Sequence, residues 1–377
     1  MTIDTETDYL GWFCNTTFST FVEPVSRLTE YVFRLQTPTT PGLFDNCTTV
    51  FNEKVYRGAV GAGIVGAGAL VLKFASWTLL GYGVLGYGGL LLGTRLGAYY
   101  LQNGKGYTYV KGQAEEKSLP ANNQFSVMNW NVCGIWGGIS RSNGGVLEWQ
   151  KRFDGILREI QNADADVLIL EEIYDTALAE KLVDSLKGKY AHFYTVNGPS
   201  VWGSVGGLFM ATKFPVRQYT HTSFDNNDWT LNRGFGTLEI GSKEKPFANV
   251  IGTHLIHGKA DAKRMEQIAQ LINSVAQKTF PAFVAGDLNL SPEKLAQAAV
   301  HPATEQNIGM TCTDKFIKEG WNPKNTCPDE RLDYIVQVKN EAPKVQVVVK
   351  QLNLLDGKNT QTALSDHDAV VAQITVV

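Results

Sequence analysis

Pro281-Ala-Phe-Val-Ala-Gly-Asp-Leu-Asn-Leu290 decides how this chain is read. An apolar run stops at Gly286, and a carboxylate (Asp287) and a carboxamide (Asn289) follow at alternate positions. If the run is a buried strand, its period of two points both side chains the same way, out of its C-terminal end. A carboxylate beside an orienting amide suits the activation of a water molecule. A Gly-Asp turn that merely closes a strand is written with the same letters. The choice rests on whether other strands end in the same manner.

They do. Val127-Met-Asn-Trp-Asn-Val132 carries Asn131 near its end, and Val167-Leu-Ile-Leu-Glu-Glu172 ends in two carboxylates that alternation aims in opposite directions. Val250-Ile-Gly-Thr-His-Leu255 ends in His254, Arg331-Leu-Asp-Tyr-Ile-Val336 begins with Asp333, and Leu364-Ser-Asp-His-Asp-Ala369 sets Asp366 and His367 before a last strand. Each has a plainer reading alone: His254 as a hydrogen-bonded structural residue, Glu172 as a capping acid, Asp366 as a turn residue. Together they form a set. Glu172, Asp287 and Asp366 are hard oxygen ligands of the kind Mg²⁺ or Mn²⁺ prefers, and Asn131 adds a neutral oxygen. The near absence of cysteine from the set disfavours zinc. Imidazoles can donate to a phosphoryl group as charge builds on it, so the set reads as a phosphoester-hydrolysing site.

Around these motifs the pattern is regular. Strands are expected at Phe125–Val132, Val167–Ile173, Tyr190–Val196, Leu208–Ala211, Gly236–Ile240, Ala248–Leu255, Asp333–Val338, Val345–Leu352 and Ala369–Val376. Helices are expected around Phe153–Ile160, at Thr176–Leu186 and Ala260–Ala276, and from Ser291 with Pro292 in the first turn. Strands alternating with fewer helices indicate an α/β (α+β) four-layered sandwich, two facing sheets flanked by helices. No internal repeat is visible.

With 377 residues the chain has room for about two units. Its 44% hydrophobic and 19% charged content are globular values, and a net charge of −3 gives no global basic field for avid nucleic-acid binding. The five cysteines lack a C-x-x-C pair, so no disulfide framework or zinc site is indicated; Cys312 and Cys327 are read as free thiols, or as a pair in an oxidising compartment. The acidic start lacks the positive region of a secretory signal. Residues 1–57 are an N-terminal region of unreadable role, with a short amphipathic helix before the breaker Thr37–Gly42. Residues 58–101 are glycine-rich and apolar, with Phe74–Thr94 free of charge. They read as an integral membrane anchor, either one tilted span or a hairpin turning near Lys73; the competing reading is a glycine-rich core segment. Residues 102–122 read as a linker and 123–377 as the catalytic domain.

The series Asn131, Glu172, His254, Gly286-Asp-Leu-Asn289, Arg331-Leu-Asp-Tyr334 and Ser365-Asp-His367 resembles the endonuclease/exonuclease/phosphatase superfamily, with its signature blocks in order over about 123–377. The resemblance implies that Glu172 and Asn131 form the metal site for Mg²⁺ or Mn²⁺, with Asp366 in a metal or supporting position. It implies that Asp287 activates the attacking water and that Asn289 orients it. His367 then stabilises the phosphate, and Asp333 holds that imidazole in its tautomer. His254 matches the second histidine of the sphingomyelinase, inositol-phosphatase and DNase I branches. One departure stands out: Cys133 occupies a place where many members carry a carboxylate or amide.

Val205-Gly-Gly-Leu-Phe-Met-Ala-Thr-Lys-Phe-Pro215, and Thr253-His-Leu followed by Arg264 and Gln267, resemble blocks of the neutral sphingomyelinase-like branch. With the expected anchor, they favour a lipid phosphodiester substrate. Trp202, Trp229 and Trp321 are candidates for an interfacial wedge or for ordinary packing. A nucleic-acid substrate is the runner-up, but its basic groupings are sparse, the clearest being Lys151-Arg152 and Lys263-Arg264. A phosphoinositide phosphatase is a further alternative. An inactive membrane scaffold would have lost one of Glu172, Asp287, Asn289 or His367, and all are present.

Overall fold

A computed structural model of the chain describes residues 106–135, 146–198, 205–227, 231–242, 244–258, 260–275, 278–298, 332–338, 345–352 and 363–376, with isolated helical positions at Gly86, Gly89, Gly93 and Leu96. Two mixed sheets face each other. The larger, seven-stranded sheet has the order β1 (Thr108–Lys111), β4 (His192–Thr195), β5 (Phe209–Thr212), β3 (Val167–Glu171), β2 (Gln124–Asn131), β12 (Ala369–Val376) and β11 (Val345–Leu352). The smaller, five-stranded sheet has the order β10 (Asp333–Val338), β9 (Ala282–Asp287), β8 (Pro246–His254), β7 (Gly234–Gly241) and β6 (Val216–Ser223). Among the described residues only two neighbouring pairs run parallel, β2 with β3 and β8 with β9.

The alternation of side chains explains why the central strands read as unbroken apolar runs. Phe125, Val127, Val167, Ile169, Val250, Phe283 and Ala285 point between the sheets and fill one core. From the opposite faces of β2 and β3, Met128, Trp130, Leu168 and Leu170 pack outward against α1 (Trp149–Ala163) and α2 (Thr176–Leu186). The smaller sheet buries Ile251, Ala282 and Val284 against α3 (Asp261–Val275), and the short α4 (Pro292–Ala298) adds Leu295 to that cluster. The result is an α/β sandwich in which the central strands of both sheets are covered on both faces.

Helix ends carry expected chemistry. Asp175 caps α2 by accepting from the Ala177 N–H at 2.9 Å, and its other oxygen accepts from the Trp149 indole at 2.8 Å, which ties α1 to α2. Asp164 closes α1 in the left-handed conformation, with φ of 45°.

Three expectations change. Residues 108–111, read as linker, form β1 and pair with β4, and beyond them Lys117 bonds Lys213 backbone to backbone at 2.7 Å. The ordered sandwich therefore begins upstream of residue 123. Strand β6 was not anticipated; it is an edge strand whose Tyr219 alone is buried. The membrane localisation is corrected as well: among the described residues no helix is long and apolar enough to cross a membrane. Apart from the four isolated helical positions, the segment 58–101 lies outside the described residues, as do residues 1–57, Trp202, Trp229, Trp321, Cys312 and Cys327.

Candidate active site

The two parallel pairs end side by side on opposite sheets, and this places the site. Asn131 is registered with Glu171 across β2 and β3, and His254 with Asp287 across β8 and β9. Antiparallel β10 brings Asp333 opposite Asp287. The turn before β12 delivers Ser365, Asp366 and His367, and the β12–β2 pairing begins with Val370 opposite Asn129. Local backbone supports the exits: Cys133, Glu172 and Asn289, each just past β2, β3 or β9, have φ of 50°, 62° and 52°. A left-handed residue turns the chain sharply and re-aims the side chains at a strand's end.

Gly286 is what lets β8 and β9 close. A Cβ at this position would lie 2.0 Å from the Thr253 carbonyl oxygen, so any larger residue would force His254 and Asp287 apart.

Asp287 is the centre of the arrangement. One of its oxygens accepts from the Asn289 N–H at 2.9 Å; the other accepts from the Asn131 amide at 3.2 Å. That second oxygen also lies 3.4 Å from His254 Nε2 and 3.8 Å from His367 Nε2. Burial pushes the Asp287 carboxyl up to about 6, partly offset by His367 and the two hydrogen bonds. His367 Nδ1 meets Asp333 Oδ2 at 2.7 Å. Burial, Arg233 and His367 hold the His254 imidazole well below its ordinary pKa.

The turn carrying His367 is sewn to β2. The Trp130 indole donates to the His367 carbonyl at 2.9 Å, and Ser365 Oγ donates to the Asn131 carbonyl at 2.6 Å and accepts from the His367 N–H at 3.2 Å. Arg152 completes the seam. Its buried guanidinium donates to the carbonyls of Leu147 (2.7 Å), Val132 (2.8 Å) and Cys133 (2.6 Å), and to that of Leu364.

Of the residues singled out in the sequence, Asp287, His254, His367, Asp333 and Asn131 are in one cluster. Asn289 makes two contacts beside this cluster. Its backbone N–H holds Asp287, while its side-chain amide donates to the Leu255 carbonyl at 3.1 Å. Glu172 and Asp366 sit together at the neighbouring edge. Burial and then the Asp366 charge raise the Glu172 carboxyl to about 7. Two half-buried carboxylates that repel each other are what a divalent cation relieves, and hard oxygens fit Mg²⁺ or Mn²⁺. Glu171 adds a further carboxylate, fully buried, with neither oxygen hydrogen-bonded among the described residues. Asp287, Asp333 and His367 also lie within 4.8 Å of one another through potential ligand atoms. The short Asp333–His367 contact is that of an imidazole with an orienting acid, and the Glu172–Asp366 edge is a second place where carboxylates come together. Cys133 supplies only its backbone there; burial and the Asp366 and Glu172 charges push its thiol up, which disfavours a thiolate ligand.

Sequence reasoning missed Arg152, Arg233 and Glu171 as site neighbours. Arg152 and Arg264 had been weighed as nucleic-acid contacts, yet both are buried; Arg264 bonds the Ile256 carbonyl at 2.7 Å and pairs with Asp261. No local signal distinguishes a buried arginine from an exposed one.

Fold and site together define a phosphoester hydrolase. Residues 128–367 match the model of the Endonuclease/Exonuclease/phosphatase family, and the chain belongs to that family. Its members are divalent-metal dependent, and the Glu172–Asp366 edge fits that requirement. The chain is 26% identical over 302 residues to the Sphingomyelinase C of Bacillus cereus, covering 67% of this chain and 84% of that protein. It is 28% identical over 153 residues to the Sphingomyelinase C of Listeria ivanovii, covering 33% of this chain and 45% of that protein's length. Among solved structures, a humanized D. rerio TDP2 shares the fold at a TM-score of 0.52 and 15% identity, covering 67% of this chain and 99% of that one.

Proposed function

We propose that this protein is a divalent-metal-dependent phosphodiesterase that hydrolyses a phospholipid of the sphingomyelin type, with Mg²⁺ or Mn²⁺ as its ion. The observation that carries the chemistry is the convergence of Asn131, Asn289, His254 and His367 on the Asp287 carboxylate. Asp287 is the general base. Raised to about 6 by burial, it is ionised at neutral pH yet basic enough to draw a proton from water. The water oxygen attacks phosphorus as Asp287 takes that proton, the P–O bond to the alcohol breaks, and the departing alkoxide is protonated by solvent while Asp287 returns its proton to solvent. His254 and His367 donate to the phosphoryl oxygens as charge builds on them. Asp333 keeps the Nε2 edge of His367 turned to the reaction by holding Nδ1. Glu172, Asp366 and the side-chain oxygen of Asn131 would hold the ion, which would supply charge neutralisation at a phosphoryl oxygen.

The sphingomyelin-type substrate rests on the sphingomyelinase relatives and on the Gly-Gly-Leu block. In that block Gly207 has φ of 76° and a Cβ there would lie 2.5 Å from the Tyr174 ring, so the glycine lets the β5 approach pack on the loop leaving Glu172. The runner-up nuclease reading draws little from the two basic groupings, because their arginines bond backbone carbonyls.

The test is to assay the full chain with Mg²⁺ against sphingomyelin in mixed micelles, a phosphoinositide and plasmid DNA, beside Asp287→Ala. Sphingomyelin cleavage that falls by about 10²–10⁴ in the variant is expected. Wild type no better than the variant on all three would sink the catalytic reading, and cleavage of DNA alone would sink the lipid.

A further inference from the structure

Among the described residues, Arg233 is the one arginine at the site that is neither committed to carbonyls all round nor paired with an acid. Its residue surface is 3% exposed, and it precedes β7 at the level of His254. Nη1 donates to the Leu255 carbonyl, the same oxygen that accepts from the Asn289 amide, so the guanidinium stands one carbonyl away from the Asp287 loop. Nη2 has only long contacts, 3.5 Å to the Tyr174 hydroxyl and 3.4 Å to His257 Nδ1. Nε is buried with no partner. No carboxylate among the described residues pairs with Arg233, whereas Arg264 pairs with Asp261 and Arg152 meets four carbonyls. Its charge reaches across the site, acting on Glu172, Tyr174 and His254.

A buried guanidinium without a counter-anion is costly, and its planar fork matches two oxygens of a phosphoryl group. The side on which Nη2 lies is bounded by exposed His257 and half-buried Tyr174, so that side is where an anion reaches it. We propose that Arg233, with the Tyr174 hydroxyl and His257 beside it, is an anion subsite that receives the non-bridging oxygens of the substrate phosphodiester. The proposal rests on the phosphodiesterase reading for the identity of its ligand. It assigns electrostatic anchoring on this flank to a residue outside the motifs quoted above. Tyr174 remains a neutral hydroxyl donor, its phenol pushed up by burial.

Inorganic phosphate in EDTA isolates this subsite from the metal. In the full-length wild type, phosphate should raise the melting temperature and bind by calorimetry; Arg233→Gln should weaken that binding by about tenfold or more. Arg233→Gln should also raise KM for the soluble diester bis(p-nitrophenyl) phosphate far more than it lowers kcat, with Mn²⁺ affinity unchanged. If Arg233→Gln gives no cooperative melt, Arg233→Lys decides. It keeps the charge but loses the fork, and a several-fold weaker phosphate affinity supports the subsite. Phosphate affinity and KM equal to wild type in whichever variant folds would overturn it. A wild type that cleaves no diester but binds phosphate through Arg233 would overturn the catalytic reading and keep the subsite. Full activity in Arg233→Gln would do the reverse.

Discussion

At the scale of single residues, the site is an exercise in holding one carboxylate. Asp287 is bonded on both oxygens and buried, and its pKa of about 6 sets a pH limb. A base must be ionised to act, so kcat/KM should fall about tenfold for each pH unit below 6 and level off above it. Asp287→Asn should abolish that limb along with activity, as a pH–rate series would show. As the proposed ligand, Glu172 sets a second limb, because a cation would displace its proton: below pH 7, metal affinity should weaken by up to about tenfold per unit. Titrating Mn²⁺ at pH 6 and pH 8 checks this, and Glu172→Gln should remove most of the difference. These residues were readable from sequence because strand ends advertise them: an apolar run that breaks at Gly-Asp or Glu-Glu exposes its polar end. Arg152 and Arg233 were not, since a guanidinium's letter is the same whether it faces water or gathers buried carbonyls.

At the scale of elements, two devices place the chemistry. The first is the close contact of β8 with β9 that Gly286 permits. Gly286→Ala should part the strands, costing about 1–3 kcal/mol by urea denaturation and a larger share of activity, because His254 and Asp287 separate. The second is the Arg152 clamp over the end of β2, the entry to α1 and the turn before β12. Arg152→Leu leaves several carbonyls unsatisfied and should destabilise the fold by about 3 kcal/mol. A melt that stays within a degree of wild type would contradict that role. Most strands were legible because both faces of the sandwich are covered, which writes them as apolar runs. Strand β6 escaped because it is an edge, and Val216-Arg-Gln-Tyr-Thr-His-Thr-Ser223 buries only Tyr219. Strand β1 escaped because glycines flank it and polar residues follow it.

At the scale of the whole molecule, the site spans the two sheets. The larger contributes Asn131, Glu172 and the turn before β12; the smaller contributes His254, Asp287, Asn289 and Asp333. Metal binding should therefore report on the stability of the sandwich. Without the ion, the raised Glu172 and Asp287 carboxyls favour the folded state at low pH, where they are protonated. Their contribution is fully present below about pH 4 and is lost as pH rises through about 6 and 7. Mg²⁺ should thus raise the melting temperature more at pH 8 than at pH 5, and thermal scans in EDTA and in Mg²⁺ would show it. An equal shift at both values would argue against these carboxylates as the ion's ligands.

The short strand β1 has a practical bearing on the rim of the larger sheet. Its four residues pair with His192–Thr195 and, with Gly112 bonded to Ala191, cover one border of that sheet. A protein trimmed at residue 123, where the catalytic domain is expected from sequence to begin, would uncover a row of amide groups flanked by Phe193 and Tyr194. Bare borders of this kind recruit one another. Such a trimmed chain should form soluble oligomers or precipitate at concentrations where a chain starting near residue 104 stays monodisperse in light scattering, although both would carry every residue of the catalytic cluster.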